Sequence, residues 1–157
     1  MTREFSAGGV VFKKPDCAGG QTTNNKKQKK EEVLWLVAQH SQHKGWVFPK
    51  GLIGDHKKGE TSEETAVREV EEETGVKGKI ILKLEKPATY FYTWKGEKMF
   101  KTVYYFLMEY IGGDVKNHDF EMSAVEWLET KEVKKRLTYK SDKLAFEEAL
   151  RLIDSLK

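Results

Sequence analysis

ETSEETAVREVEEETGV, residues 60–76, is the stretch from which the rest of the chain can be placed. Thr61 and Glu64 stand three apart, the spacing of a capping box, and Gly75 suits a left-handed C-cap. The spacing therefore predicts a helix that starts at Thr61 and ends at Gly75. Ala66, Val67 and Val70 form an apolar stripe able to pack on a sheet, leaving the glutamates on another face. Those glutamates are crowded: Glu69, Glu71, Glu72 and Glu73 fall within five residues. On a helical wheel Glu72 lies about 60° to one side of Glu69 and Glu73 about 40° to the other, while Glu71 points elsewhere. Like charges three and four apart repel by a few tenths of a kcal/mol per pair. Either water screens them, or a cation sits among them. Arg68, one turn from both Glu64 and Glu72, can orient a carboxylate by charge-assisted hydrogen bonds. Oxygen donors of this kind suit hard cations, Mg²⁺ in particular, which binds through a few carboxylates together with waters and substrate phosphates.

Strands surround this helix. Residues 4–13 read as one, with Gly8 and Gly9 where side chains would block a close approach, and residues 33–40 read as a second. Between them a Lys-, Gly- and Asn-rich segment at about 14–31 reads as a flexible basic loop. Further β-rich runs follow at 79–84, 89–94, 102–110 and 124–128, separated by turn-like WKGEK and IGGD. A short helix is expected around 130–137. A longer one is expected to open on Ser141 as N-cap, with Leu144, Ala145, Ala149, Leu152 and Ile153 near one side. Strands in the middle with helices flanking them imply an α+β or layered α/β/α domain.

Bulk properties narrow the class. A chain of 157 residues fits one domain, 1–157, and can bury a sizeable core unaided. It is 34% charged and 38% hydrophobic, too apolar for wholesale disorder. A net charge of +3 is too small to argue for nucleic acid, and the single Cys17 excludes both an internal disulfide and a multi-thiolate metal site. No run of apolar residues is long enough for a membrane span or a secretory signal, so a cytoplasmic protein with no membrane partner is expected. His43 and His56 fall in loops and receive no role.

From Gly54 the chain runs five residues to Glu60, seven more to Arg68, and then reads REVEEETGV. This resembles the Nudix box, GX5EX7REUXEEXGU with U aliphatic, at every defined position. SAGGVVF, WVFPKG, KTVYYFL and EMSAVEWL extend the resemblance over nearly the whole chain. One departure stands out: Gly51, which follows FPK as the family's metal-contacting glycine does, is separated from Glu60 by eight residues rather than five. The resemblance implies a Nudix fold, a mixed sheet between helices, and hydrolysis of a nucleoside diphosphate linked to another moiety with Mg²⁺ or Mn²⁺. It implies metal ligands at Glu69, Glu72, Glu73 and the Gly51 carbonyl, and a supporting role for Glu60. It also implies a further acidic ligand at Glu121, six residues before Trp127. Arg68 would orient the acids. The general base is left between Glu69 and Glu121.

The outer motifs are most similar to those of diadenosine polyphosphate hydrolases, so a small-molecule nucleotide such as diadenosine tetraphosphate, cleaved to ATP and AMP, is the expected substrate. Lys50 and Lys101 would meet phosphate oxygens, and Tyr92, Tyr105 or Trp46 would stack on adenine. A pyrophosphohydrolase acting on RNA 5′ ends or nucleoside triphosphates is the alternative, with the basic loop as its support. A nucleotide-sensing domain without hydrolysis is the non-enzymatic one, and the intact set of Arg68, Glu69, Glu72 and Glu73 argues against it.

Overall fold

The computed structural model describes residues 1–15, 33–54 and 57–156. The basic loop expected at about 14–31 thus lies, apart from Lys14 and Pro15, outside the described residues, as does His56. In chain order the elements are β1 (Thr2–Lys13), β2 (Leu34–His40), β3 (Trp46–Val47), β4 (Lys50–Leu52), α1 (Ser62–Thr74), β5 (Val76–Lys83), β6 (Ala88–Trp94), β7 (Glu97–Gly113), β8 (Met122–Glu129), α2 (Thr130–Arg136) and α3 (Lys140–Ser155). The strands join one mixed sheet. β1 runs parallel to β7 from Thr2↔Met99 to Phe12↔Glu109, and the other pairings are antiparallel. β6 pairs with β7 beside the first half of that strand, and β4 pairs with β1 on the opposite side.

Alternation along the central strands divides the core in two. Val10 and Phe12 of β1, Trp35 and Val37 of β2 and Tyr105 and Leu107 of β7 pack with Val133 of α2 and Phe146 and Ala149 of α3. Ala7 and Val11, Leu36 and Ala38, and Phe106 and Met108 pack instead with Ala66 and Val70 of α1. A period-two pattern with apolar residues at every position has to be covered on both faces. The sheet is accordingly sandwiched between α1 and the α2–α3 pair, the α/β/α arrangement expected. Among the described residues no helix is long and apolar enough to cross a membrane.

α1 forms where the capping chemistry puts it. Thr61 accepts from the Glu64 N–H and the Glu64 side chain accepts from the Thr61 N–H, at 3.1 and 3.0 Å. Gly75 caps the other end at φ 80°. The stripe is narrower than expected: Ala66 and Val70 are buried, Val67 only partly. Gly9 brings α1 close, because a Cβ there would stand 2.8 Å from Val70 Cγ2.

α3 departs from the sequence reading. Its N-cap is Tyr139, without a side-chain cap bond, so Ser141 lies inside the first turn. Leu144 is 55% exposed, and Phe146 takes the place in the core that the stripe would have given it.

Gly75→Ala is expected to cost about 1–3 kcal/mol, since a left-handed residue would acquire a side chain. Its Cβ would stand 2.3 Å from the Asp114 carbonyl oxygen. Urea unfolding should show a lower midpoint at unchanged slope.

Candidate active site

The centre of the acidic face of α1 is a guanidinium. Arg68 grips Glu60 with two parallel bonds, Nε to Oε2 at 2.8 Å and Nη2 to Oε1 at 2.9 Å. Its Nη1 donates to Glu69 Oε2 at 3.0 Å and to Glu72 Oε1 at 3.1 Å. Of the two glutamates one turn from Arg68, Glu72 is bonded, whereas Glu64 is occupied by the cap and the buried Glu60 takes its place. Thr65 Oγ1 donates to Glu60 at 2.8 Å, and the Gly54 N–H donates to it as well. Gly54, at φ 78°, therefore serves the turn that carries Glu60.

Glu69 and Glu73 do not stand on a solvated face. Each is only 7% exposed, because β4 passes directly beneath them. A Cβ on Gly51 would lie 2.1 Å from Glu69 Cδ, so only glycine lets the helix acid reach that strand. The Lys50 N–H donates to Glu73 Oε1 at 3.3 Å. Burial pushes the Glu73 carboxyl well above its ordinary range, and the charges of Glu69 and Glu121 add to this while Lys50 opposes it. Glu121 thereby joins the cluster electrostatically from the turn before β8. Glu71 points away to Lys77 at 4.0 Å.

The acids do not converge as a ready-made cage. Among the described residues no three His, Cys, Asp or Glu side chains are gathered closely enough to hold one metal ion. The physical reason is Arg68, which draws Glu69 and Glu72 onto its own nitrogens. The donor set nevertheless fits a hard divalent cation. It is all oxygen, it contains a buried carboxyl burdened by two like charges, and it adjoins the Gly51 main chain.

Lys50 connects this cluster to a cleft of about 770 Å³, which its side chain lines with Lys101, Tyr90, Tyr92, His43 and Asp142. Burial alone would lower the Lys50 ammonium, but Tyr90, Asp142 and Glu73 together hold it above its ordinary value. Lys101 is lowered by burial and by the charge of Lys50, against the pull of Glu4, whose Oε1 is 3.6 Å from Lys101 Nζ. Tyr92 donates to Glu4, and its phenol is pushed up to about 12 by burial and by that bond. Ser6 lies on the face of β1 that carries Glu4, as strand alternation requires. Its Oγ is buried with no hydrogen-bond partner among the described residues.

Two expected stackers are elsewhere. Tyr105 is 2% exposed, edge-on to Phe48 with its hydroxyl on Asp142, and so presents no face to a ligand. Trp46 does not line the cleft; Arg136 lies over its ring at 4.9 Å. The residues that sequence reasoning missed are Tyr90, Glu4, Asp142 and His43. Tyr90 shares a strand face with Tyr92 and pairs with Lys101, a signal present in the alternation. Asp142 and His43 carry no comparable local signal. His43 accepts from the Gly45 N–H at 3.1 Å and lies 2.9 Å from the Tyr139 hydroxyl. Burial, then His40 and Lys50, lower its pKa.

Two acid–base consequences have opposite signs. The Arg68 fork holds Glu60 at about 2 against an ordinary 4.5. A depressed carboxyl contributes stability above its unfolded pKa and loses it as the pH falls through the folded one. Stability should therefore drop between pH 4.5 and 2, and Glu60→Gln should flatten that drop in urea titrations at stepped pH. Glu73 is raised, so its ionised form opposes folding at neutral pH. Glu73→Gln should raise the melting temperature in metal-free buffer near pH 8.

A family model described as the NUDIX domain matches residues 16–149. A Mycobacterium tuberculosis protein bearing a mutator-protein name, MutT4, is 38% identical over 112 residues, 71% of this chain. The chain spans 44% of that relative's length. Among solved structures, a C. elegans Ap4A hydrolase in a binary complex superposes with a TM-score of 0.65 at 21% identity, covering 97% of this chain and 98% of that one. The NUDIX domain of Shewanella oneidensis NrtR, complexed with ADP ribose, gives 0.68 at 19% identity, covering 98% and 90%. At these identities the structures speak to the fold alone. The family match covers most of the sequence, including the Arg68 fork and the acids it holds, and the chain belongs to the NUDIX domain family.

Proposed function

We propose that the protein is a pyrophosphohydrolase that cleaves a nucleoside diphosphate linked to another moiety, with a dinucleoside polyphosphate such as diadenosine tetraphosphate as its substrate. The observation that carries this reading is the double engagement of Lys50: its N–H bonds Glu73 of the acidic cluster while its side chain lines the cleft. Phosphate oxygens bound at Lys50 and Lys101 would thus lie beside the carboxylates. The motifs WVFPKG, KTVYYFL and EMSAVEWL, most similar to those of diadenosine polyphosphate hydrolases, support this substrate class. The mutator-protein name of the mycobacterial relative is the support for the alternative, simple nucleoside triphosphates.

Mg²⁺, or Mn²⁺ in its place, would be held by Glu69, Glu72, Glu73 and Glu121 with the Gly51 carbonyl, where it neutralises phosphate oxygens and acidifies bound water. The chain supplies the rest. Arg68 keeps Glu69 and Glu72 on one side of the helix, within a short side-chain movement of the cation they would hold. Lys50 and Lys101 bind the polyphosphate, and Tyr90 and Tyr92 on β6 flank the nucleoside. Water attacks one phosphorus and the bridging P–O bond breaks, giving ATP and AMP from the tetraphosphate. Glu69, whose Oε2 is held by Arg68, takes the water proton, with Glu121 as its rival.

Turnover at fixed salt on diadenosine tetraphosphate, ATP and triphosphorylated RNA should favour the dinucleotide. Equal or faster cleavage of the others would exclude the narrower substrate, and nucleotide binding with no ATP, AMP or other cleaved nucleotide formed under saturating Mg²⁺ would exclude hydrolysis altogether. Glu72→Gln and Glu73→Gln should each cut kcat by roughly two orders of magnitude or more while the fold survives. Near-normal rates in both would contradict the ligand assignment.

A further inference from the structure

One acid in the cleft has no part in that scheme. Asp142, in the first turn of α3, is 3% exposed. The Tyr105 hydroxyl donates to its Oδ1 at 3.0 Å, and the Phe48 N–H donates to the same carboxylate. Both donors are buried in the core. The rings of Tyr105 and Phe48 are 6.1 Å apart, edge to face, and Phe48 is packed 5.9 Å from Phe146 of the same helix. The carboxylate is therefore held by two donors of the packed core, and Lys50 lines the same cleft, its charge acting on the carboxylate.

Lys50 is placed between opposing attractions. On the cleft side stand Tyr90, to which it is hydrogen-bonded, and Asp142. Behind it stands Glu73, already bonded by the Lys50 main chain. An ammonium that swung back to Glu73 would neutralise the acidic cluster internally and withdraw from the cleft. Paired cations and acids in a low-dielectric region attract strongly enough for this competition to matter.

We infer that Asp142 is a positioning residue: held by Tyr105 and Phe48, it draws the Lys50 ammonium toward the cleft, where phosphate oxygens meet it, and away from Glu73 and the acidic cluster. This rests on reading Lys50 as a phosphate-binding residue. It predicts that one neutral substitution weakens two different ligands through a single lysine. Loss of the Asp142 charge lets Lys50 fall back on Glu73, so phosphate loses a cation and a divalent metal gains a competitor.

A double-mutant cycle of Asp142→Asn and Lys50→Met tests this without turnover. Binding of a methylene-bridged diadenosine tetraphosphate analogue is measured by calorimetry in EDTA, and Mn²⁺ binding by electron paramagnetic resonance in the absence of nucleotide. Asp142→Asn should weaken the analogue about tenfold and Mn²⁺ about threefold, and both losses should vanish in the Lys50→Met background. Losses that persist in that background, or an unchanged Mn²⁺ affinity in Asp142→Asn, would overturn the inference. If the wild-type protein binds the analogue neither in EDTA nor with Mg²⁺, the dinucleotide reading falls and the Mn²⁺ arm alone decides the role of Asp142. Should Asp142→Asn not fold, Tyr105→Phe loosens the same carboxylate. A smaller Mn²⁺ loss confined to the Lys50 protein then supports the inference, and no loss refutes it.

Discussion

The site depends on one guanidinium serving three carboxylates. Without Arg68 the acids of α1 would be a repelling cluster, two of them buried where water cannot screen them. With it, Glu60 from the preceding loop, Glu69 and Glu72 become fixed points. The planar fork matters. Lysine offers a point charge, whereas arginine can hold Glu60 with two nitrogens and still reach two more acids with a third. The loop between β4 and α1 is therefore tied to the helix through Glu60, whatever course its middle takes.

The second constraint is the close approach of strand to helix. Gly51 allows Glu69 onto β4, and that approach buries Glu73 against the Lys50 main chain. Because Lys50 faces the cleft from the same short strand, the close approach at Gly51 brings in the acids of α1 while strand pairing aligns the cleft residues. Glu4 and Lys101 are opposite one another in β1 and β7, Gly8 and Lys50 in β1 and β4, and Tyr90 and Lys101 in β6 and β7. Three pairings bring together residues separated by nearly a hundred positions.

How much of this was legible followed from how local the determining chemistry is. The ends of α1 were readable because a capping box and a left-handed glycine act within four residues. The clustering of the acids on α1 was readable from helical period, but the burial of Glu69 and Glu73 was not, since it comes from β4. Tyr92 and Lys101 lie on strand positions open to the cleft, where alternation along β6 and β7 would put them. Tyr105 was misread because the covering residues, Phe146 and Asp142, arrive from a helix nearly forty residues later. The start of α3 was misplaced for a related reason: its first turn is held by packing and has no side-chain cap for a sequence to display.

β6 contributes Tyr90 and Tyr92 to the cleft, pairs among the described residues with β7 alone, and meets the acidic helix only through that strand. Tyr90 is bound to Lys50, but the other β6 residues that line the cleft can be exchanged with little disturbance to the chemistry on α1 and β4. Lineages carrying this architecture could diversify the nucleoside moiety they accept by drift along that one outer strand, while the bond-breaking apparatus stays under separate selection.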